Sequence, residues 1–154
     1  LLAYLVYKKQ LDTHDDPANT GGIFFTTASV RAPIWNIVTE AVGTFVLITW
    51  VMQSSPFQPG TGDSVPQFGN SALGYAGVAF TVIAIGASLG GPTGYAINPA
   101  RDLGPRIMYS LLPIKGKGSA NWGYAWIPIV GPFVGALFAM LYYWVGGSGS
   151  GSWG

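Results

Sequence analysis

The chain has 154 residues and a formal net charge of +1, and only 8% of its residues are charged, against about 25% in ordinary soluble domains. Hydrophobic residues make up 49% and aromatic residues 14%. This balance favours a protein of the lipid bilayer and gives no basic footprint for nucleic acid. Because cysteine is absent and the one histidine, His14, lies in a polar run, the sequence predicts no disulfide, no metal site and no cofactor.

A short apolar run opens the chain and a long polar stretch follows it. Residues 1–7 are too few to cross a bilayer, which takes about 20 residues, so we interpret them as the last turns of a span whose beginning is missing. Residues 8–32 are polar and rich in Gly, Asn, Asp and Thr, and they predict a long loop. Its apolar residues 22–25, Gly-Ile-Phe-Phe, are expected to dip onto a protein surface.

The first full span is predicted over residues 33–52. Trp35 and Trp50 lie near its two ends, where interfacial aromatic residues belong. Its one charge is Glu40, and a carboxylate in mid-span must find donors inside the protein. We interpret Glu40 as the acceptor for backbone N–H groups of a non-helical loop, assisted by Thr44 one turn further on. The alternative is a proton relay, which would need further titratable groups in the spans.

The second span is predicted over residues 72–89, after a loop rich in Pro, Gly and Ser over residues 53–70. It is dense in small residues, and Gly86 and Gly90 have the spacing of four that lets helices approach closely in lipid. The run of glycines with a proline over residues 90–94 is expected to end this helix.

Residues 98–112 predict a re-entrant half-helix, because the segment is helical in pattern but too short to span. Asn98 is a favoured N-cap, and Pro99 suits the first helical position. A helix is therefore predicted to begin at Asn98. Its free N–H groups and positive dipole end would point along any cavity in front of it.

Arg101 conflicts with its local setting, because a cation in the first helical turn opposes the macrodipole and a charge at membrane depth is costly. Such a conflict usually marks a functional site. We expect Arg101 to donate hydrogen bonds to neutral solutes at a narrow point of a pore and to repel cations and protons. Asn98 would offer amide donors, and carbonyls of the non-helical Gly94, Tyr95 and Ala96 would offer acceptors. The alternative is a surface arginine facing phosphate.

The last span is predicted over residues 125–145, after a polar loop over residues 114–124. Gly131 and Gly135 repeat the spacing of small residues. The Gly/Ser-rich residues 146–154 predict a flexible tail outside the channel domain, typical of a linker.

The segment GYAINPARDLGPR, residues 94–106, resembles the second Asn-Pro-Ala box of the major intrinsic proteins, the aquaporins and aquaglyceroporins. The resemblance covers nearly all of residues 1–145. It implies an all-α membrane protein: an aquaporin-like bundle of transmembrane helices with a re-entrant half-helix, made of the second inverted repeat and the end of the third span. In that pattern Asn98, Pro99 and Ala100 form the pore motif.

Several positions resemble the glycerol-conducting branch of the family. Asp102 directly after Arg101 is typical of aquaglyceroporins, as is the pair Pro128–Ile129 in the last span. Gly86 stands where water-selective members have a histidine, and we expect it to leave space for a carbon backbone. Tyr95 matches a position that is commonly phenylalanine, so its hydroxyl adds polarity. The resemblance implies a filter of Arg101, Tyr95 and Gly86, with Asp102 in loop support.

The resemblance implies a passive channel of the cell membrane for glycerol, other small uncharged solutes and water that excludes ions and protons. It also implies a second Asn-Pro-Ala half-helix in an N-terminal half, and a homotetramer with one pore in each subunit. The nearest alternative is a family member that prefers water, lactic acid, urea or dihydroxyacetone. Other classes are half of a secondary transporter and a structural membrane protein. An enzyme is not indicated, because no nucleophile–base pair appears.

Overall fold

The computed structural model describes residues 1–54 and 72–147. The predicted loop over residues 53–70 and the predicted tail over residues 146–154 lie almost entirely outside the described residues. Within the described ranges every regular element is a helix, which confirms the predicted all-α class. In chain order the elements are α1 (Leu2–Val6), α2 (Lys8–Thr13), a 3-10 helix (Pro17–Ile23), α3 (Pro33–Ser54), α4 (Ala72–Thr93), α5 (Pro99–Leu111) and α6 (Ile127–Gly147).

Three of the described helices, α3, α4 and α6, are long and apolar enough to cross a membrane. They contain 22, 22 and 21 residues. At about 1.5 Å per residue these lengths match a hydrocarbon core of about 30 Å. Large apolar side chains cover their outer faces, among them Ile34, Phe80 and Phe133. Lipid or further protein has to cover such faces, so the chain is a multi-pass membrane protein, as predicted.

The two helices α3 and α6 pack most closely, because glycines of α6 remove the side chains between them. A Cβ atom at Gly131 would lie 2.5 Å from the Cβ of Glu40, and one at Gly135 would collide with the carbonyl oxygen of Ala41. The helices run in the same direction, since successive glycines of α6 meet successive turns of α3. This close approach is the packing mode of small residues in lipid.

The end of α4 lies four residues later than the predicted end at residue 89. The helix continues to Thr93 with Pro92 inside its last turn. Its terminal carbonyl groups find partners in the preceding loop: the Ser29 hydroxyl donates to Gly91 at 2.6 Å and the Ser29 N–H donates to Pro92 at 3.0 Å. The helix breaks at Gly94, where φ is 75°. The long-range contacts of Ser29 therefore extend a helix that local pattern alone ends too early.

The long loop after α2 folds back over α5. Phe24 and Phe25 are buried, and each ring centroid lies 5.3 Å from that of Tyr109 in α5. The Thr20 hydroxyl lies 3.1 Å from the Tyr109 hydroxyl. The prediction that residues 22–25 dip onto a protein surface is confirmed. This cluster fixes the outer end of the short helix and includes Leu11, Leu112, Ile114 and Ala120.

Candidate pore site

The short helix α5 begins in the middle of the bundle rather than at its end. Ile97, just before the helix, packs against Gly43, which is the eleventh of the 22 residues of α3. A Cβ atom at Gly43 would lie 2.9 Å from the Ile97 side chain. From there α5 extends for 13 residues, about 20 Å, which is too short to cross a bilayer. The chain therefore enters as a loop from the end of α4 and returns outward as a helix.

The entering loop has an unusual backbone. Gly94, Tyr95 and Ile97 have φ angles of 75°, 41° and 44°. A positive φ is easy for glycine but costs an ordinary residue about 1–3 kcal/mol, so the surroundings must hold it in place. Within the part of the chain that the structure describes, no group donates to the carbonyl oxygens of residues 94–96. Three carbonyl groups therefore remain free as acceptors on this loop.

The Glu40 side chain, on α3, binds the backbone of this loop. Its side chain is buried, and its two carboxylate oxygens accept hydrogen bonds from the N–H groups of Ala96 at 3.0 Å and Ile97 at 2.6 Å. The Thr44 hydroxyl donates to the carbonyl of Glu40 at 2.8 Å and lies 3.4 Å from the carbonyl of Ile97. Charge-assisted bonds of this kind offset part of the cost of burying the carboxylate. The structure thus brings Glu40 and Thr44 together with the strained loop.

Asn98 caps the helix that follows. Its side-chain Oδ1 accepts hydrogen bonds from the N–H groups of Ala100 at 2.9 Å and Arg101 at 3.4 Å. Pro99 takes the first helical position, where no N–H donor is needed. Because the cap uses only the oxygen, both amide protons on Nδ2 stay available, and no described group accepts from them. The exposed Asn98 side chain and the positive end of α5 therefore offer donors at the same place.

Arg101, Tyr95 and Gly86 lie next to one another. The Arg101 guanidinium is 5.2 Å from the Tyr95 ring centroid, within the range of a cation–π contact. The Arg101 side chain is exposed, and its guanidinium donates a hydrogen bond to no group among residues 1–54 and 72–147. The Tyr95 ring lies against α4, where a Cβ atom at Gly86 or at Gly90 would be 3.0 Å from ring atoms. The Tyr95 ring thus occupies the space directly beside Gly86, and the role of Gly86 in leaving room for a carbon backbone stays a prediction.

Arg106 had no role in the sequence-based expectations, yet it is fully buried in α5 and uses all five of its donors. Its Nε and Nη2 donate to the two carboxylate oxygens of Asp102 at 2.8 and 2.9 Å. Its remaining donors reach backbone carbonyls of Thr26 at 2.8 Å, Ala120 at 2.6 Å and Asn121 at 3.0 Å. The one signal in the sequence was the spacing of four between an acid and an arginine on a helix.

Asp102 completes this buried network. Its Oδ2 also accepts from the N–H of Thr26 at 2.8 Å and from the Thr26 hydroxyl at 2.7 Å. The pair Asp102–Arg106 thereby joins three segments: the loop before α3, the helix α5 and the loop before α6. Removing one partner of a buried ion pair costs about 3–5 kcal/mol. The network therefore sets the position of the helix that carries Arg101.

Tyr124, in the loop before α6, interacts electrostatically with Glu40, Asp102 and Arg106, and its side chain is almost completely buried. Burial raises the pKa of its hydroxyl well above the usual range, and the negative charges of Glu40 and Asp102 raise it further. Tyr124 therefore stays protonated and neutral at ordinary pH. Among the described residues, no group of three or more His, Cys, Asp or Glu side chains is placed to hold a metal ion.

Three membrane-crossing helices, with a capped half-helix that starts at their mid-depth, define the class: a multi-pass helical membrane protein with a re-entrant segment. Residues 4–143 match the family model described as Major intrinsic protein. The chain belongs to this family, and the resemblance seen in the sequence is confirmed.

Three curated relatives share much of the sequence. The chain is 43% identical over 145 residues to the Glycerol uptake facilitator protein of Bacillus subtilis (strain 168), covering 93% of this chain and 48% of that protein. It is 45% identical over 143 residues to Glycerol uptake facilitator protein 3 of Lactiplantibacillus plantarum, with 92% and 55% covered. It is 43% identical over 146 residues to the Probable glycerol uptake facilitator protein of Thermotoga maritima, with 94% and 58% covered. The chain spans about half the length of these curated relatives.

Proposed function

We propose that the chain forms half of a passive channel that conducts glycerol, other small uncharged solutes and water, and that it performs transport without a catalytic step. The observation that carries this proposal is the start of α5. There the free donors of Arg101 and Asn98 lie beside three free carbonyl groups at mid-depth in the membrane-crossing bundle. The names of the relatives, which are glycerol uptake facilitators, support the class of solute.

The proposed mechanism replaces the water shell of the solute with fixed protein groups. A hydroxyl that leaves water without a partner costs about 1–3 kcal/mol in a protein setting. Arg101 and the Asn98 amide would donate hydrogen bonds to each passing hydroxyl oxygen, while the carbonyls of residues 94–96 would accept a hydrogen bond from the O–H of the solute. The Tyr95 ring would provide an apolar wall for the C–H groups of a polyol.

Exclusion of cations and protons follows from the electrostatics of the same groups. Arg101 carries a permanent positive charge, and the N-terminus of α5 adds about half a charge of the same sign. The nearby carboxylates do not cancel this potential, because Glu40 is turned to the N–H groups of the loop and Asp102 to Arg106. A passing cation would therefore lose part of its hydration and meet the positive potential of Arg101 and of the start of α5.

We also propose that an N-terminal half completes the channel with a second Asn-Pro-Ala half-helix, and that the complete protein is a homotetramer of the cell membrane. The large apolar faces on α3, α4 and α6 support the presence of further partners in the bilayer. The length of the chain, about half that of its relatives, supports a missing half.

Stopped-flow light scattering on proteoliposomes that carry the complete channel tests this function. We expect glycerol flux well above that of empty vesicles, and we expect it to be unchanged by sodium or proton gradients. Flux that depends on either gradient would indicate a secondary transporter. Flux equal to that of empty vesicles would indicate a structural membrane protein.

A second candidate function is a channel of the same family that prefers water or another small polar solute. Tyr95 favours this candidate, because its hydroxyl brings a polar group to the ring beside Arg101. Parallel measurements of water and glycerol permeability in one preparation distinguish the two. A water-preferring channel would show high water flux with glycerol flux near the background of empty vesicles.

A further inference from the structure

Lys117 lies at the outer end of α5 and binds its last carbonyl groups. Its ammonium group donates to the carbonyl oxygens of Tyr109 at 2.7 Å, Ser110 at 2.8 Å and Leu112 at 2.7 Å. It also lies 5.5 Å from the Tyr109 ring centroid. The final carbonyl groups of an α-helix have no partners within the helix and carry the negative end of its dipole. All three N–H donors of the Lys117 ammonium group therefore bind carbonyl groups at the C-terminal end of α5.

The turn that precedes Lys117 returns it to this end. The last turn of α5 itself contains no basic residue, so the charge has to come from the loop that follows. Gly116 allows this turn, because its φ is 67°. It also lies close to Pro17: a Cβ atom at Gly116 would be 3.1 Å from the proline ring. Lys115, two residues earlier, is exposed and has no hydrogen bond to any described residue. The arrangement thus selects one of two neighbouring lysines.

We propose that Lys117 is a positioning residue of the pore, and that it neutralises the negative end of α5 and leaves the positive end at Asn98 unopposed. It acts through the helix and touches no solute. The two ends are about 20 Å apart, since α5 has 13 residues. At that distance and at an effective dielectric constant of about 20, one unit charge changes the passage rate of a cation by about two- to fourfold. This inference rests on the proposed channel function.

The experiment measures two properties of the complete channel in proteoliposomes: glycerol flux by light scattering and proton leak by a pH dye inside the vesicles. The measurements are made in an Arg101→Val background, where the leak is raised enough to be compared. Relative to Arg101→Val alone, we expect Lys117→Met to raise the proton leak two- to fourfold. Lys117→Arg keeps the charge, and we expect it to leave the leak unchanged. Lys115→Met is the matched control, because its charge is exposed to solvent and screened within about 8 Å at physiological salt.

Lys117→Gln separates charge from hydrogen bonding, because its amide retains donors for the carbonyl groups and carries no charge. We expect the same rise in proton leak as for Lys117→Met. An unchanged leak in both variants, with normal glycerol flux, would overturn the inference and leave the channel function intact. A loss of glycerol flux and thermal stability without a rise in leak would overturn it as well, because it would show a structural cap only. Absence of glycerol flux in the unsubstituted channel would instead count against the proposed function.

Discussion

The Arg101 guanidinium lies over the Tyr95 ring, 5.2 Å from its centroid. The face of an aromatic ring is negative, so it attracts the guanidinium cation. The N–H groups, which point outward in the plane of the guanidinium, are not used by this contact. A salt bridge would have held the side chain equally well, but it would have cancelled the charge and occupied the donors. The contact with Tyr95 therefore explains how a charged side chain is held at membrane depth while its donors remain available to a solute.

The first prediction concerns the charge of Arg101. Replacing it by an apolar side chain removes one unit charge from the proposed passage, and at a separation of about 6 Å in an effective dielectric of about 20 this amounts to at least a tenfold effect on a passing cation. We expect Arg101→Val to raise the proton leak of vesicles by about tenfold or more, while Arg101→Lys raises it less. A leak as low as that of the unsubstituted channel would show that Arg101 is not part of a filter.

The second prediction concerns Gly86 and the ring beside it. A Cβ atom there would lie 3.0 Å from the Tyr95 ring, so any side chain at this position has to displace the ring. We expect Gly86→His to reduce glycerol flux far more than water flux in stopped-flow measurements. Gly91→Ala is the control in the same helix, since a Cβ atom there meets nothing within 4 Å. Equal loss of both fluxes would point to misfolding instead of a changed filter.

The third prediction concerns Glu40. In Glu40→Gln the amide nitrogen faces one of the two loop N–H groups, so one hydrogen bond is lost and a buried donor is left unsatisfied, at a cost of about 1–3 kcal/mol. We expect a lower melting temperature together with reduced glycerol flux. Thr44→Val removes a hydroxyl that donates to the helical carbonyl of Glu40 and lies at the longer distance of 3.4 Å from the loop carbonyl of Ile97, so we expect a smaller loss, of about 1 kcal/mol. An effect of Thr44→Val as large as that of Glu40→Gln would contradict the assignment.

The fourth prediction concerns the buried ion pair. Arg106→Met leaves the Asp102 carboxylate buried without its cation, and we expect a loss of about 3–5 kcal/mol in the free energy of unfolding. The double variant Arg106→Met with Asp102→Leu removes both charges, so we expect it to recover part of this loss. The free energies of unfolding of the unsubstituted protein and the two variants are measured by denaturant titration in detergent. A single variant within about 1 kcal/mol of the unsubstituted protein would show that the pair is not needed to hold α5.

The fifth prediction concerns the dependence of stability on pH. The pKa of Tyr124 is raised in the folded protein, so the unfolded chain releases this proton first as the pH rises. The stability that Tyr124 contributes is fully present below pH 10, the ordinary tyrosine value, and is lost progressively above it. We expect Tyr124→Phe to reduce the fall in unfolding free energy above pH 10 by up to about 1.4 kcal/mol per pH unit.

The control for this titration is Tyr7→Phe, because Tyr7 directly follows α1 and its side chain is exposed whereas that of Tyr124 is buried. Unfolding free energies of the three proteins are compared between pH 8 and pH 11.5. Identical slopes for Tyr124→Phe and the unsubstituted protein would show that the Tyr124 hydroxyl is not shielded from water.

Local pattern was enough to predict the features that arise from local physics. The length of the apolar runs predicts the three spans, and the Asn98–Pro99 pair predicts where α5 begins. The isolated charge of Glu40 predicts that it needs internal donors. Each of these follows from a few adjacent residues and the cost of polar groups in lipid.

Other features depend on partners far away in the chain, and local pattern does not reveal them. The extension of α4 to Thr93 depends on Ser29, which is 62 residues before the carbonyl it binds. The binding of Thr26 by Asp102 joins residues 76 apart. The packing of Tyr95 against Gly86 depends on the left-handed turn at Gly94, and no spacing rule predicts the path of that loop.

The central claim is that solute passes beside Tyr95 and Arg101 at the start of α5. Thiol labelling tests it most directly, because these 154 residues contain no cysteine and any cysteine in the other half of the complete channel is first replaced by serine. Tyr95→Cys is placed in the complete channel, and glycerol flux is measured before and after a small water-soluble thiol reagent is added. Phe133→Cys, on an apolar outer face, is the control. We predict that the reagent blocks flux only in Tyr95→Cys and that glycerol slows the reaction. Full labelling of Tyr95→Cys with glycerol flux unchanged would contradict the claim.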